Sequence, residues 1–300
     1  MNPRPDLSIC IVSYNARAYL RACLDSILEN TRGVSCEIIL VDNHSEDGSA
    51  DMLAEHYPQV RCMRNQHNDG FARPANRAIA ASCGRHILLL NPDSLVHGDA
   101  LEQLVRFLDE NPAVGIVGPR ILNRNGSLQR QCRRSEGRPW DAFCYLTGLS
   151  GLFPHDRRFS GYLMSYLDEE NLHEVQAVSG ACMLVRREVF DQVGVLDERF
   201  FAYQEDSDLC YRVRQVGWKV FYLPAARITH FGGKGGAGVH PYRSLYEWHR
   251  SYYLYYRKHF ARPSLFLFNW MLYALIWIKF LAALILNLFR REKVIGSRKD

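Results

Sequence analysis

The sequence has no C-x-x-C pair, little net charge and no apolar leader at its start. Its nine cysteines (Cys10, Cys23, Cys36, Cys62, Cys83, Cys132, Cys144, Cys182, Cys210) are odd in number and scattered, which argues against a disulfide framework. They read as reduced core thiols of a cytosolic chain. Net charge is only +5, from 37 Lys and Arg against 32 Asp and Glu. That excess is too mild to argue for nucleic acid, and it favours an anionic partner such as phosphate or lipid headgroups. Pro3, Arg4, Pro5 and Asp6 precede a brief apolar run, which does not make a signal peptide. The N-terminal part is therefore expected in the cytosol, where the sequons at Asn43 and Asn125 carry little weight. With 47% hydrophobic and 23% charged residues over 300 positions, a disordered or collagen-like chain is excluded.

From Leu7 onward, short β-rich apolar runs alternate with amphipathic stretches, as expected of parallel strands covered by helices on both faces. Strands are expected at 7–14, 37–42, 60–64, 86–90 and 114–118, with helices at 16–30, 49–56, 71–82 and 99–110 between them. The fold class is α/β: an open, mostly parallel, Rossmann-like sheet whose functional edge lies at the carboxyl ends of the strands. Between 122 and 174 the periodicity weakens while Arg124, Arg130, Arg133, Arg134, Arg138, Arg157 and Arg158 accumulate. We expect this to be an insertion facing a ligand or partner rather than core. Periodicity then returns, with strands at 177–186 and 219–223 and helices at 187–193 and 205–216.

Several strand tips carry chemistry. Ser13-Tyr14-Asn15 and Asp42-Asn43-His44-Ser45 place an aromatic ring and an acid where a nucleobase can stack and donate its ring N–H, although capping the next helix explains Asp42 and Ser45 equally well. Asn91-Pro92-Asp93 ends a fully apolar strand, and a carboxylate there is well placed to hold a divalent cation against a diphosphate. Glu205-Asp206-Ser207-Asp208 puts three acids in a helical first turn beside Phe200, Phe201 and Tyr203. The helix dipole accounts for one or two of them, and a carboxylate against an apolar wall is a candidate general base. Asp206 is the expected base and Asp208 a cap or a support to the fold. His230 precedes a glycine-rich stretch, 232–238, in which Lys234 is followed by Gly. That departs from a P-loop, and it suits a mobile flap over phosphates.

Taken in order, Val12-Ser13-Tyr14-Asn15, Val41-Asp42-Asn43-His44-Ser45, Asn68-Asp69-Gly70-Phe71, Asn91-Pro92-Asp93 and Gln204-Glu205-Asp206-Ser207-Asp208-Leu209 resemble glycosyltransferase family 2, most closely its rhamnosyltransferase-like members. The resemblance covers about residues 7 to 235. It implies a glycosyltransferase-A fold, a nucleotide-sugar donor, a divalent cation (Mg²⁺ or Mn²⁺) and inversion at the anomeric carbon. It further implies that Ser13 and Tyr14 contact the base and that Asp42 accepts its N3–H. Asn15, Asn43 and Ser45 lie in the same donor-binding segments, and Gly70, Phe71 and Asn76 form the donor-side helix entry. Asn91 stands where many members have Asp, leaving Asp93 and His230 as the metal ligands. Glu205 and Asp206 match the family's catalytic acidic pair. Arg73-Pro74 departs from the small residues usual in that turn. The donor implied is a dTDP- or UDP-sugar, with dTDP-rhamnose first, and the acceptor is a hydroxyl of a lipid-linked or cell-surface glycan.

The last part, 239–300, reads as a helical membrane-associating segment after a catalytic domain over 1–238. From Tyr242 to Phe260 aromatic and basic stripes run side by side, which suits a membrane interface or a domain-packing helix. Leu265 to Phe289 is long enough to span a bilayer at ~1.5 Å per residue. A span would carry Arg290, Arg291 and Lys293 away from the cytosol, against the positive-inside tendency, so a re-entrant or interface-lying helix is favoured. The expected location is the cytoplasmic face of the membrane, peripheral, monotopic or C-terminally anchored, and a homo-oligomer is compatible with this. Two competing readings are a catalytically inactive nucleotide-sugar-binding or scaffold subunit, favoured by Asn91, and a nucleotidyltransferase, which the absence of a Gly-rich basic loop after the first strand disfavours.

Overall fold

The computed structural model describes residues 4–234 and 238–289. Its nine-stranded sheet grows from apolar strands too short to be covered by anything but helices. β1 (Leu7–Ser13), β2 (Cys36–Asp42), β3 (Arg61–Arg64) and β4 (His86–Leu90) lie parallel in the order β3-β2-β1-β4. Helices α1 (Arg17–Asn30), α2 (Ser49–His56) and α3 (Ala72–Ala81) connect them. β1 and β4 are buried at every position, as their largely apolar sequences require. In α1, Leu20, Cys23, Leu24 and Ile27 are fully buried, each large side chain contributing roughly 1.5–3 kcal/mol.

The second half departs from simple alternation. β5 (Ser94–His97) and α4 (Ala100–Glu110) precede β6 (Val114–Leu122), and β10 (Cys182–Arg186) inserts antiparallel between β4 and β6. Between them lie β7 (Arg133–Arg134), α5 (Pro139–Thr147), α6 (Leu149–Leu152), β8 (His173–Glu174) and β9 (Ala177–Val178), with β7 and β9 pairing in a separate ribbon. After β10 come α7 (Arg187–Val193), α8 (Glu205–Gln215) and β11 (Lys219–His230). β11 runs parallel to β6, and its outer edge is shared: β8 pairs at Phe221 and Tyr222, and β5 at Arg227 to His230. The register breaks between Leu223 and Arg227, where Pro224 has no N–H to give the ladder.

Part of the 122–174 segment is core, which its composition does not suggest. Arg133, Arg134, Ser135, Glu136, Cys144 and Tyr162 are buried. Arg133 donates to the Leu167 carbonyl at 2.7 Å, and Arg158 pairs with Asp156 at 2.7 Å. Arg133 and Arg158 thus serve a backbone carbonyl and a local acid, while Arg124, Arg130 and Arg157 are exposed.

The C-terminal helices α9 (Pro241–His259) and α10 (Phe266–Phe289) form an antiparallel pair. α9 takes the domain-packing role. Trp248, Tyr252 and Tyr256 join Leu146, Tyr162, Leu272 and Ile276 in a second core. Lys258 and His259 reach the buried Asp208 of α8, His259 Nε2 lying 2.7 Å from its Oδ1, while Arg212 Nε donates to its Oδ2 at 2.8 Å. Asp208 therefore supports the fold, and the expected boundary at 238 cuts through a shared core. A chain ending at Gly238 is expected to aggregate; its recovery as a soluble monomer by size-exclusion chromatography would contradict this packing.

Candidate active site

The carboxyl ends of β1, β2 and β4 open on one edge, as parallel register dictates, with Ser13 opposite Asp42. The Ser13 hydroxyl and Asp42 Oδ2 are both buried with no hydrogen-bond partner, although Arg64 Nε stands 3.6 Å from that Oδ2 as an ion pair. Buried polar atoms without a hydrogen bond are costly and uncommon. Two side by side at a strand edge fit a ligand that supplies a donor and an acceptor. Tyr14 lies beside them, near-parallel to His240 with ring centroids 6.1 Å apart.

The other expected donor residues divide differently. Asn15 and Ser45 stitch two loops together: the Asn15 N–H donates to Ser45 Oγ at 3.0 Å, and Asn15 Oδ1 accepts from the Glu46 N–H at 2.8 Å. The Asn43 amide is used up, donating to Asn68 Oδ1 and the Gly70 carbonyl and accepting from Asn65 and the Asp69 N–H. Asn76 pins the 196–198 loop through the Leu196 N–H and carbonyl, 3.0 and 2.9 Å away. These side chains position the loops at this sheet edge, and the amide groups of Asn43 and Asn76 are spent on protein partners. Gly70 has φ +82°, and a Cβ there would sit 2.2 Å from the Phe201 carbonyl. The Phe71 N–H donates to that same carbonyl, so the donor turn is held directly against the aromatic run before α8.

Strand pairing brings His230 to Asp93. The β5–β11 register sets Ser94 opposite His230, and the Phe231 N–H donates to the Asp93 carbonyl at 2.9 Å. His230 Nε2 then lies 3.2 Å from Asp93 Oδ1. Gln129 Oε1 stands 2.8 Å from His230 Nδ1, and the Gln129 amide N–H groups already donate to Asn123 and the His230 carbonyl. Nδ1 is therefore the ring donor, and Nε2 presents its lone pair. Asn91 Nδ2 stands 3.1 Å from the same nitrogen. A carboxylate oxygen and an imidazole lone pair facing each other repel unless a proton or cation lies between them. One carboxylate with one imidazole suits a divalent cation. Among the described residues no set of three His, Cys, Asp or Glu side chains forms a metal site, so a cation held by this pair would need further ligands from outside the protein. Gln129 was not singled out in the sequence, since nothing in its neighbourhood marks it. As the group that orients His230, its change to Ala is expected to lower divalent-cation affinity roughly 10–100-fold; an unchanged cation titration of donor binding would count against that role.

The acids of α8 follow two consecutive non-glycine residues in left-handed conformation, Tyr203 (φ 69°) and Gln204 (φ 66°). Such strain persists only where packing over-determines it. Asp206 Oδ2 accepts from Arg134 Nη2 at 2.6 Å and from the Gly180 N–H at 2.8 Å, while Oδ1 accepts from the Ser207 N–H. The next carbonyl along, Ala181, accepts from the Asn91 N–H, so the loop that holds Asp206 also holds the tip bearing Asn91. Glu205 is buried and its Oε2 has no partner. Burial first, and the Asp206 charge second, push its carboxyl up to about 8. Glu205 is therefore held protonated at neutral pH beside Asp206, which faces Arg134. Folded chains thus hold a proton that unfolded chains release above about 4.5, so stability from this group is present in acid and lost as pH rises toward about 8. Glu205→Gln is expected to remove that loss, narrowing the difference between urea midpoints at the two ends of this window. An undiminished difference would contradict the assignment.

Residues 8–194 match the profile of Glycosyl transferase family 2, well over half of the chain. The chain belongs to glycosyltransferase family 2. Among its relatives in this family, an N-acetylglucosaminyl-diphospho-decaprenol L-rhamnosyltransferase of Mycobacterium tuberculosis is 30% identical over 261 residues, covering 83% of each chain. A low-salt glycan biosynthesis hexosyltransferase, Agl10 of Haloferax volcanii, is 28% identical over 70% of this chain and 62% of its own. The fold matches the glycosyltransferase-A type. The mannosyltransferase PcManGT from Pyrobaculum calidifontis, in complex with GDP-Man and Mn²⁺, superposes with a TM-score of 0.59 at 18% identity, over 95% of this chain and 76% of that one. GalNAc-T7 with UDP, GalNAc and Mn²⁺ gives 0.57 at 17% identity, over 76% and 43%. This family 2 glycosyltransferase carries its acidic pair on α8 and its Asp93–His230 pair where β5 meets β11.

Proposed function

We propose that the enzyme moves a sugar, with inversion, from a nucleoside-diphosphate sugar to a hydroxyl of a lipid-linked or cell-surface glycan at the cytoplasmic face of the membrane, with rhamnose from dTDP-rhamnose as the sugar. The approach of Asp93 to His230 carries the reading of a diphosphate donor, because the pair has a cation's donor set at the edge where Ser13 and Asp42 keep polar atoms open. The mycobacterial relative's name supports both the sugar and the lipid-linked acceptor. A divalent cation bound there would neutralise charge developing on the departing diphosphate.

The chain's own groups do the rest. Ser13 and Asp42 bind the base, with Tyr14 against its face. Asp93 and His230, oriented by Gln129 and Asn91, fix where the diphosphate sits. Asp206 takes the proton from the attacking hydroxyl, its charge kept in place by Arg134, while Glu205 holds its own proton beside it. A single displacement on the face opposite the diphosphate needs no nucleophilic carboxylate and inverts the anomeric carbon. The test is transfer from a panel of nucleotide sugars to a short-chain lipid diphosphate N-acetylglucosamine, with the product's anomeric configuration read by NMR. Inverted rhamnosyl product supports the proposal; transfer with retention, or no transfer from any dTDP- or UDP-sugar, overturns it.

A further inference from the structure

The polar residues of α10 all face the protein. The Tyr256 hydroxyl donates to Asn269 Oδ1 at 2.6 Å, Lys279 Nζ donates to the Leu146 carbonyl at 3.2 Å, and Asn287 is 1% exposed. The opposite side carries Leu267, Trp270, Ile278, Leu281, Ile285 and Leu288, from 53% to 72% exposed. At ~100° per residue they form one stripe about 80° wide. It runs the length of a 24-residue helix, ~36 Å at 1.5 Å per residue.

A helix of this length and apolarity passes for a membrane span, yet its packing opposes one. Its first 15 residues run back along α9: Tyr273 packs on Tyr253 and Tyr256, Trp277 on Tyr246, and Phe280 on His249. α9 is in turn tied to the catalytic domain, Arg250 donating to the Arg199 carbonyl at 3.1 Å and Ser251 to the Ala202 carbonyl at 2.8 Å. A spanning α10 would draw Glu247, Arg250 and Lys258 of α9 toward hydrocarbon, or strip its inner face of partners. Cations bracket the stripe as well. Arg257 and Arg262 are exposed at its start, and Arg290, Arg291 and Lys293 follow Phe289 in sequence.

We infer that α10 lies in the plane of the membrane, its inner face on the catalytic domain, its outer stripe in the acyl boundary and Arg257 and Arg262 on an anionic leaflet. The inference deepens the reading of a membrane-borne acceptor, and its test does not depend on turnover. The full chain, diluted from detergent, is floated with vesicles of phosphatidylcholine alone or mixed with phosphatidylglycerol. Flotation is expected with the anionic vesicles, weakening with salt, and Leu267→Glu combined with Ile278→Glu and Ile285→Glu is expected to lower it by roughly tenfold or more. Nucleotide-sugar binding and the far-UV spectrum should stay unchanged, since all three side chains are exposed. A C-terminal epitope tag on the bound chain should be cut by external protease together with the catalytic domain.

A protected tag would show a span and overturn the inference. Equal binding to neutral vesicles would overturn its electrostatic part. Concentration-dependent dimers that replace vesicle binding would show a second copy covering the stripe, and would overturn it too. Vesicle binding by a chain that transfers no sugar would leave the inference standing and remove the acceptor reading.

Discussion

Asp206→Asn is expected to bind donor as the parent does and to transfer sugar roughly 10²–10⁴-fold more slowly. The amide keeps the size of the carboxylate and an oxygen for the Gly180 N–H, but it has no charge with which to accept the acceptor's proton. The control is necessary because Arg134 is buried and its partner is Asp206. Removing one member of a buried ion pair destabilises by about 3–5 kcal/mol, so a melting curve and a donor-binding isotherm must accompany the rate. A folded, donor-binding variant with near-parental transfer would remove Asp206 from the reaction and leave Glu205 as the acid to examine. The same variant should also ease deprotonation of Glu205, since the Asp206 charge is one of the causes holding it up.

Asp93→Ala is expected to be nearly as severe. A cation's stabilisation of the departing diphosphate is worth several kcal/mol, which at 1.36 kcal/mol per decade is a loss of roughly 10²–10³-fold in transfer. Unlike Asp206→Asn, it should also weaken donor binding and abolish the effect of added Mg²⁺ or Mn²⁺ on that binding. A second consequence is local, because Asp93 Oδ2 accepts from the Lys234 N–H at 3.0 Å and so holds the chain that enters the glycine-rich loop. Residues 235–237 of that loop, expected as a flap, lie outside the described residues, as do Arg290, Arg291 and Lys293. Asp93→Asn separates the two effects: it keeps a carbonyl oxygen for the Lys234 N–H and loses the charge. Preserved cation dependence in both variants would contradict the metal role.

What the sequence reveals and what it hides follow from physical range. Period-2 and period-3.6 patterns and turn residues are local, so β1 to β4 and α1 to α4 are legible within a residue or two. β5 escapes because four residues between a Pro-Asp turn and a Gly-Asp turn carry little pattern, and it exists by pairing with residues 227–230. β11 runs seven residues past the expected end at Leu223, across Pro224, for the same reason. The motif residues Asp93, His230, Glu205 and Asp206 are legible as chemistry. Their partners Gln129, Arg134 and Gly180 are not, because each is brought up by tertiary pairing from 26 to 101 positions away. The arginines of 122–174 mislead in the opposite sense: a basic segment looks like an anion site until burial shows that Arg133 and Arg134 serve carbonyls and an acid within the protein.

α9 links the two ends of the account. It supplies Lys258 and His259 to Asp208 in the first turn of α8, two residues from Asp206, and it carries α10 on its other side. The acidic pair and the apolar stripe are therefore parts of one packed unit, which suits an enzyme whose acceptor is presented at a membrane surface.

Donor binding through a cation at Asp93 and His230 is tested by isothermal titration of the full chain in detergent with dTDP-rhamnose and UDP-sugars, with Mn²⁺ and then with chelator. One donor is expected to bind, and its binding to be lost with chelator and in Asp93→Ala. Donor binding of equal strength without the cation, or its full retention in Asp93→Ala, would contradict it.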